Sequence, residues 1–490
     1  MGPFQYRILV AAGLCFASDS MEVLLLSFLA VVLQAQWDLP AEASATITSS
    51  VFLGATLGTL VLGPLGDTMG RKPVFTLTAG IIAVFGFATA AANDISALII
   101  LRFLVGFGVG GLTVPFDTLA EFVPTSSRGT SLMLIEYFWT LGTLITPVFA
   151  YVTLGEGGAG VSTDAWRWFV ILCAVPCLAS TIVGIVYVPE SPRWLLAKGK
   201  YDEALAVMRQ AAKRSGKHPH ALFPPGTRLV EQEAEAEHGT NVGHLFSPEW
   251  RRKTILLWMA WAGFAFVYYG NIMIVTLVFT DEETNAGSTF SHEDTNSYSF
   301  DYGAIMTSAS AELAGTTLVI FLIDRIGRVP TQVSSYIGGG CMVYLLCMLK
   351  ARSLSNDAPS HRTLMVLASF LARMAFMSAS CSTWIATAEI LTTDIRATGH
   401  AASNAVARLG GSLSPYLVTD GTPISTIGSV MLTISLVTAF AVAGLPETMG
   451  LSMGTSSSSS SSSSDDDGDL EAKPLPVVSN SLKVDWYLRS

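Results

Sequence analysis

Charged residues are scarce in this 490-residue chain. Asp, Glu, Lys and Arg together make up 13% of the sequence, whereas hydrophobic residues make up half of it, and the mean hydropathy is +0.49. This composition excludes an ordinary soluble protein of the same length and is typical of a polytopic membrane protein. The net charge of −10 arises partly from the C-terminal tail and partly from one acidic loop, so it does not indicate a nucleic-acid partner.

Signatures of several other protein classes are missing from the sequence. There is no P-loop and no nucleophile motif, which argues against ATP-driven transport and against an enzyme with catalytic residues. The six cysteines fall in or beside apolar runs without metal-ligand spacing, so we interpret them as packing residues and expect no metal site and no cofactor. The first apolar run is too long for the core of a signal peptide, so we expect no cleavable signal.

The sequence does contain a series of long apolar runs. Twelve of them are long enough to cross a membrane as helices at about 1.5 Å per residue. The polar segment 189–253, a predicted cytoplasmic linker with an amphipathic helix at 200–214, divides them into six and six. We therefore expect an all-α membrane protein with two six-helix bundles, 1–188 and 254–448, followed by a disordered Ser/Asp-rich tail, 449–490. The predicted spans are 7–33, 46–65, 74–92, 97–122, 132–154, 168–188, 255–279, 302–323, 329–349, 363–388, 397–418 and 424–445.

Basic residues recur in alternate loops and predict the orientation. By the positive-inside rule these loops and both termini are cytoplasmic. Lys350, Arg352 and Arg362 disagree, because they lie between the ninth and tenth spans on the predicted outside, but five basic loops outweigh this one. The basic positions on the predicted inside are Arg71, Lys72, Arg128, Arg325, Arg328, Arg396 and a Lys/Arg-rich stretch at 193–253.

The two halves of the chain share motifs in the same order. Six spans that repeat in one direction predict two bundles that rock against each other about a site near the middle of the membrane. The matched features are GlyAspThrMetGlyArgLys at 66–72 with AspArgIleGlyArg at 324–328, Arg102 with Arg373, Glu121 and Arg128 with Glu389 and Arg396, and Pro189-Glu190 with Pro446-Glu447.

Charged residues of the duplicated turns and their neighbours form the predicted cytoplasmic gate. Carboxylates and guanidinium groups placed near helix ends can pair in one conformation and separate in the other. The alternative for Arg71 and Lys72 is a purely topological role as anchors on the cytoplasmic side. The predicted gating residues are Asp67, Arg71, Glu121, Arg128, Asp324, Arg328, Glu389 and Arg396.

Acidic residues inside the spans are the main functional signal. Asp19 and Glu22 are three residues apart, so a helix places them side by side on one face. A carboxylate at that depth costs at least about 3 kcal/mol, so we expect it to face a water-filled cavity or a partner. Low dielectric favours the protonated form of a carboxyl group, which a proton-coupling site needs. The alternative is a protonated acid that only hydrogen-bonds a neighbouring helix.

Seven acidic residues against three arginines lie within the predicted spans, and this excess slightly favours a cationic or neutral substrate. An anion stays possible because Arg102, Arg373 and Arg408 could receive a carboxylate. Pro115 lies two residues before Asp117. Because proline has no backbone N–H to donate, it leaves a helix carbonyl free, as is common near midplane sites. The aromatic candidates could instead be packing residues or interface anchors. The candidate substrate-binding residues are Glu22, Asp117, Glu136, Tyr268, Tyr269, Glu312 and Trp384.

Together these segments resemble the major facilitator superfamily over nearly all of residues 4–450. The turn at 66–72, GlyPheGlyValGlyGly at 106–111 and ProGluSerProArgTrp at 189–194 are similar to signature segments of sugar porters and organic-ion transporters. AspSerMetGluValLeuLeuLeuSerPheLeu from Asp19 and LeuIleGluTyrPheTrpThrLeuGlyThr from Leu134 resemble the branch related to synaptic-vesicle glycoprotein two. We expect no counterpart of the long N-terminus and the glycosylated external domain of the animal vesicle proteins.

The resemblance implies the major facilitator fold and a secondary active transporter. Asp19 is similar to the first-span Asp of proton-linked sugar porters, and Arg102 to its fourth-span Arg partner, so the resemblance assigns proton coupling to these two; the alternative for Arg102 is a structural role. We expect proton symport of a small organic ion or metabolite by a monomer, in the plasma membrane or an internal membrane. An uncoupled facilitative carrier and a non-transporting vesicle or partner-binding protein are the alternatives.

Overall fold

A computed structural model describes most of the chain. It covers residues 2–123, 128–155, 164–224, 227, 242–283, 297–355, 361–391, 393–418 and 421–449. The predicted tail from residue 450 onward and most of the linker between 225 and 241 lie outside the described residues. The side chains of Arg128 and Arg396, both predicted gating residues, also lie outside them.

Within these ranges the chain is almost entirely helical, as predicted. The helices are α1 (Pro3–Trp37), α2 (Ala41–Met69), α3 (Arg71–Thr89), α4 (Ile95–Gly110), α5 (Thr113–Phe122), α6 (Arg128–Leu154), α7 (Ala165–Tyr187), α8 (Pro192–Ala197), α9 (Tyr201–Arg214), α10 (Pro219–Leu222), α11 (Arg251–Val278), α12 (Tyr302–Ile326), α13 (Arg328–Ser355), α14 (Arg362–Ile390), α15 (Thr393–Leu417) and α16 (Ile424–Ala443). We call α1–α7 the N-terminal half and α11–α16 the C-terminal half. The two halves meet along α2 and α15, α6 and α12, and α1 and α11.

Eleven helical segments of the described chain are long and apolar enough to cross a membrane by length and composition. The eleventh predicted span, α15, is missing from this set although its 25 residues would extend about 37 Å. It carries His400, Asn404 and Arg408, and it packs against α2 and α11. These three side chains are buried or partly buried against protein, which is where such side chains are tolerated in a membrane.

The fourth predicted span is interrupted, because α4 ends at Gly110 and α5 begins at Thr113. The interruption follows a close approach between α2 and α4. Gly54 and Gly58 on α2 face the backbone of α4, and Gly106 and Gly110 on α4 face the backbone of α2. A Cβ at any of these positions would overlap the facing backbone, so the two small-residue pairs set the distance between the helices.

The linker contributes a small satellite core outside the two bundles. The predicted amphipathic helix is α9, which buries Leu205 and Met208 against Leu195 of α8 and against Phe223. Asp202 and Glu203 lie in its first turn and Lys213 and Arg214 in its last, which complements the helix dipole. This cluster sits at the end of the molecule where α1 begins and α16 ends, which we call the terminal side; the opposite end is the hairpin side.

At the terminal side the two halves share individual hydrogen bonds as well as sequence motifs. Glu190 accepts hydrogen bonds from the first two backbone N–H groups of α3, and Glu447 accepts them from the first two of α13. Each helix is preceded by a glycine with positive φ, Gly70 at 109° and Gly327 at 99°. Burial alone would raise the pKa of Glu447, but four backbone N–H donors outweigh it and hold the pKa below 4.5.

Gly327→Ala is expected to lower the free energy of unfolding by about 1–3 kcal/mol, because φ 99° and ψ 167° suit only glycine. The added Cβ would also lie 2.7 Å from Oε2 of Glu447. The matched control is Gly338→Ala inside α13, where nothing lies within 4 Å of the new Cβ. Thermal unfolding of the two purified variants in detergent measures the difference, and equal melting temperatures would contradict the prediction.

A two-stranded antiparallel hairpin, which the sequence analysis did not predict, lies on the hairpin side. Strand β1 (Thr280–Glu283) pairs with β2 (Ser297–Phe300), with Thr280 opposite Phe300. Asp301 follows β2, caps α12 through the N–H of Ala304 at 3.0 Å, and binds Arg362 at the start of α14 at 2.6 Å. Arg362, one of the basic residues that disagreed with the predicted orientation, is therefore paired with an acidic one.

Asp301→Asn is expected to keep the helix cap and to lose the ion pair, at a cost of about 0.2–1 kcal/mol at neutral pH. The hydrogen bond from Arg362 holds the pKa of Asp301 below its ordinary value of 3.8. The stabilisation is therefore present above pH 3.8 and is lost as the pH falls through the lowered folded-state pKa. Melting temperatures of wild type and variant, measured in detergent over a pH series, should differ at neutral pH and converge in acid. A difference that persists in acid would contradict this.

Candidate transport site between the two halves

Three buried ion pairs form a charged layer across the middle of the molecule. Glu22 pairs with Arg102, Glu312 pairs with Arg373 at 2.9 Å, and Asp19 pairs with Arg408 at 3.3 Å. The predicted pair of Asp19 and Arg102 is therefore wrong in its geometry. Asp19 and Glu22 do lie on neighbouring positions of α1, but each faces a different helix.

The pair of Glu22 and Arg102 belongs to the N-terminal half alone. Arg102 lies on α4 near the hairpin side, is fully buried, and also donates to Thr89 at the end of α3. All three residues move with one half, so this pair holds helices of a bundle together. Its position fits the structural alternative for Arg102.

The pair of Asp19 and Arg408 joins the two halves. Asp19 lies near the middle of α1 and is 2% exposed, and Arg408 lies on α15. Arg408 also donates to the hydroxyl of Tyr269 on α11, at 3.2 Å. A charged contact that bridges two bundles must break when the bundles separate. Sequence reasoning counted Arg408 as an intramembrane charge but could not identify its partner.

Glu312 is the centre of a second contact between the halves. Its Oε1 accepts from Nε of Arg373 and from the Tyr268 hydroxyl, each at 2.9 Å, and its Oε2 accepts from Thr143 of α6 at 2.9 Å. The Tyr268 oxygen in turn accepts from Nε1 of Trp139, also on α6, at 2.8 Å. The adjacent residues Tyr268 and Tyr269 therefore each serve one of the two bridging centres. Thr143 was not among the site residues predicted from the sequence.

Two of the predicted substrate-binding residues lie away from this layer. Asp117 on α5 lies 3.7 Å from Arg71, and its side chain is 48% exposed, so it belongs with the charged cluster of the terminal side. The ring of Trp384 on α14 contacts Phe116 across the halves at 5.9 Å and His400 at 4.7 Å. Trp384 lies six residues before the end of α14, so it sits between the charged layer and the terminal side.

The described members of the predicted gate form two clusters. Arg71 lies 3.0 Å from Asp67 and 3.2 Å from Glu121. In the other half Arg328 lies 3.0 Å from Asp324 and 2.8 Å from Glu389. Each cluster stays within its own half, so the described pairs do not latch one half to the other. Their role as a gate stays a prediction.

Aromatic side chains close the space between the halves on the hairpin side. Phe28 of α1 packs edge-on against Phe300 at 5.0 Å and lies stacked with Tyr302 at 6.3 Å. Tyr302 also contacts Tyr151 of α6 at 5.5 Å. These rings come from both halves and from the hairpin, so they fill the space between the halves on the hairpin side of the charged layer.

Comparisons with known proteins agree with this architecture. Residues 26–456 match the family model described as "Sugar (and other) transporter". The organic cation/carnitine transporter 7 of Arabidopsis thaliana is 30% identical over 452 residues, which cover 85% of either chain. The synaptic vesicle 2-related protein of Bos taurus is 29% identical over 470 residues, which cover 93% of this chain and 80% of that protein.

Among solved structures, the proton:xylose symporter XylE of the major facilitator superfamily matches with a TM-score of 0.66. The match covers 92% of this chain and 98% of the other, and at 20% identity it shows the fold alone. The family match spans both bundles and the segment between them. The chain therefore belongs to the sugar (and other) transporter family and is a multi-pass membrane transporter with the major facilitator fold.

Proposed function

We propose that this protein is a secondary active transporter that carries a small organic ion or metabolite together with protons by alternating access. The observation that supports this best is the contact of Asp19 with Arg408, a buried charge pair that bridges the two halves near the middle of α1. Rocking of one half against the other must break this contact. A bound substrate replaces the broken interactions and so offsets the free-energy cost of that motion. Without substrate this cost is not offset.

The chemistry of the bridging centres favours an ionic substrate over a sugar. Arg408 offers guanidinium donors to a carboxylate, and Asp19 offers an acceptor to a cationic group. Tyr268 and Tyr269 add aromatic faces and hydroxyls beside the two charged centres. The name of the relative from Arabidopsis thaliana, organic cation/carnitine transporter, points to the same class. We propose a small organic ion, with both centres as its contacts.

The remaining expectations extend this proposal. The protein acts as a monomer with both termini in the cytoplasm, so the terminal side is the cytoplasmic side and the hairpin side is external. The clusters around Arg71 and Arg328 act at the cytoplasmic ends of the two halves when these open and close. Arg128 and Arg396 are proposed to act in the same gate.

The test is a proton-entry screen in liposomes that contain the purified protein and a pH-sensitive dye. Organic cations, organic anions and sugars are added outside, and proton entry above that of empty liposomes is recorded. Proton entry with an organic ion is expected. Uptake of a compound without a proton signal would leave an uncoupled carrier, and proton entry with sugars alone would refute the substrate class. No uptake in any class by a folded protein would favour the partner-binding alternative.

A further inference from the structure

Six of the seven acidic residues predicted inside the spans have a cationic partner. Each lies within ion-pair distance of an arginine: Asp19 with Arg408, Glu22 with Arg102, Asp117 and Glu121 with Arg71, Glu312 with Arg373, and Glu389 with Arg328. The seventh, Glu136 on α6, has no ion pair and no side-chain hydrogen bond among the residues that the structure describes. Glu136 is thereby the one acid of this set without an arginine beside it in the described residues.

Glu136 points to the contact between the halves. It lies three, four and seven residues before Trp139, Thr140 and Thr143, which a helix places on one face. These three residues are buried, and Trp139 and Thr143 make the bonds to the C-terminal half. Glu136 itself is only partly buried. It therefore lies two helical turns from Thr143, toward the terminal side, where this face of α6 is less completely buried.

The groups that surround Glu136 supply no neutralising charge. The described titratable groups that interact electrostatically with Glu136 are Glu312 on α12, Tyr269 on α11 and Cys381 on α14. Glu312 already has Arg373 as its partner. If Glu136 and Glu312 were both ionised, the guanidinium of Arg373 would balance only one of the two negative charges. Such a pair carries one excess negative charge in a site of low dielectric, and one added proton removes it.

We propose that Glu136 is the residue that takes up the coupled proton, and that its charge acts on Glu312 across the boundary between the two halves. The inference rests on the proposed symport. With Glu136 neutral, the carboxylate of Glu312 keeps its bonds to Arg373, Tyr268 and Thr143, which is the arrangement observed. With Glu136 ionised, the two carboxylates repel each other. Because they lie on α6 and α12, this repulsion weakens the contact between the halves.

This assignment differs from the one that resemblance implies. Asp19 is matched by Arg408, so that pair is neutral without a proton. Protonation of Asp19 would leave the guanidinium of Arg408 buried without its counter-charge. The proton is better placed on Glu136, where it removes an unmatched charge instead of creating one.

The first test needs no substrate. Infrared difference spectra of the reconstituted protein, recorded when acidic buffer is replaced by alkaline buffer, show the loss of carbonyl absorption from each carboxyl group that releases a proton. The wild type should show such a loss. One component of this loss should be absent in Glu136→Gln, present in Asp19→Asn, and shifted in frequency in Glu136→Asp, which keeps a carboxyl group if the glutamine variant does not fold.

An unchanged band in Glu136→Gln, an unshifted one in Glu136→Asp, or its disappearance in Asp19→Asn alone would overturn the assignment. The matched control is Glu203→Gln, which changes an exposed acid on α9. Transport gives a second readout with the compound that passes the proton-entry screen. Glu136→Gln should lose accumulation of that compound driven by a pH gradient, whereas Glu136→Asp, which keeps an ionisable carboxyl group, should retain part of it. A wild type without proton-driven uptake would refute the symport proposal, whereas retained accumulation in Glu136→Gln would refute only this inference.

Discussion

Arg373→Met is expected to lower the free energy of unfolding by about 3–5 kcal/mol. The side chains of Arg373 and Glu312 are both fully buried. Removal of the guanidinium leaves the carboxylate of Glu312 in a site of low dielectric with only the hydroxyl donors of Tyr268 and Thr143. Thermal unfolding of the purified protein in detergent should show the largest drop in melting temperature among single substitutions of the charged layer.

The double variant Arg373→Met with Glu312→Gln separates charge from shape. It removes both charges and is expected to recover a large part of the lost stability, because replacing both members of a buried pair costs far less than breaking the pair. Lys200→Met is the surface control, since Lys200 and Glu203 are both largely exposed. If Arg373→Met melted at the same temperature as Lys200→Met, the buried pair would not stabilise the fold.

Asp19→Asn is expected to reduce the initial rate of uptake by about 10- to 100-fold, which corresponds to roughly 1.4–2.8 kcal/mol. The amide keeps the shape of the side chain but removes the charge that faces Arg408 across the two halves. The measurement is uptake into liposomes of the compound identified by the proton-entry screen, with equal amounts of folded protein verified by melting.

Glu22→Gln is the matched comparison for Asp19→Asn. Both substitutions neutralise a buried acid on α1 that faces an arginine, but Glu22 contacts Arg102 within the N-terminal half. We therefore expect Glu22→Gln to lower the melting temperature and to leave the initial rate much closer to that of the wild type. Equal losses of uptake in both variants would show that bridging the halves is not what gives Asp19 its effect.

The fold could be predicted from the sequence because its determinants are local or repeated. Apolar runs indicate the number and position of the spans. Basic residues in alternate loops indicate which loops lie at the same end of the molecule. The residues of the clusters around Arg71 and Arg328 could be named because their motifs occur in each half, but the individual pairs of Arg71 with Glu121 and of Arg328 with Glu389 could not. The polar helix α15 was included because its length and its place in the repeat agreed, although it falls outside the set that length and composition alone select.

The partners of the buried charges could not be predicted in the same way. Helical periodicity places Asp19 and Glu22 on one face of α1, but it does not say which helix each one meets. Three residues turn the side chain about 60° around the helix and raise it by about 4.5 Å. That difference is enough to direct Glu22 to α4 and Asp19 to α15. The hairpin was missed because its strands are only four residues long and lie in an acidic loop.

The contacts of Glu447 have a practical consequence for anyone who shortens or tags this protein. The last apolar helix, α16, ends at Ala443, so a truncation planned from hydropathy would stop there. Such a truncation would remove the carboxylate that receives the first two N–H groups of α13 and with it the hydroxyl of Thr448, which donates to Glu389 at 2.6 Å. The N–H of Met449 also donates to Glu447, at 3.0 Å, so a reporter or affinity tag is best joined beyond this residue.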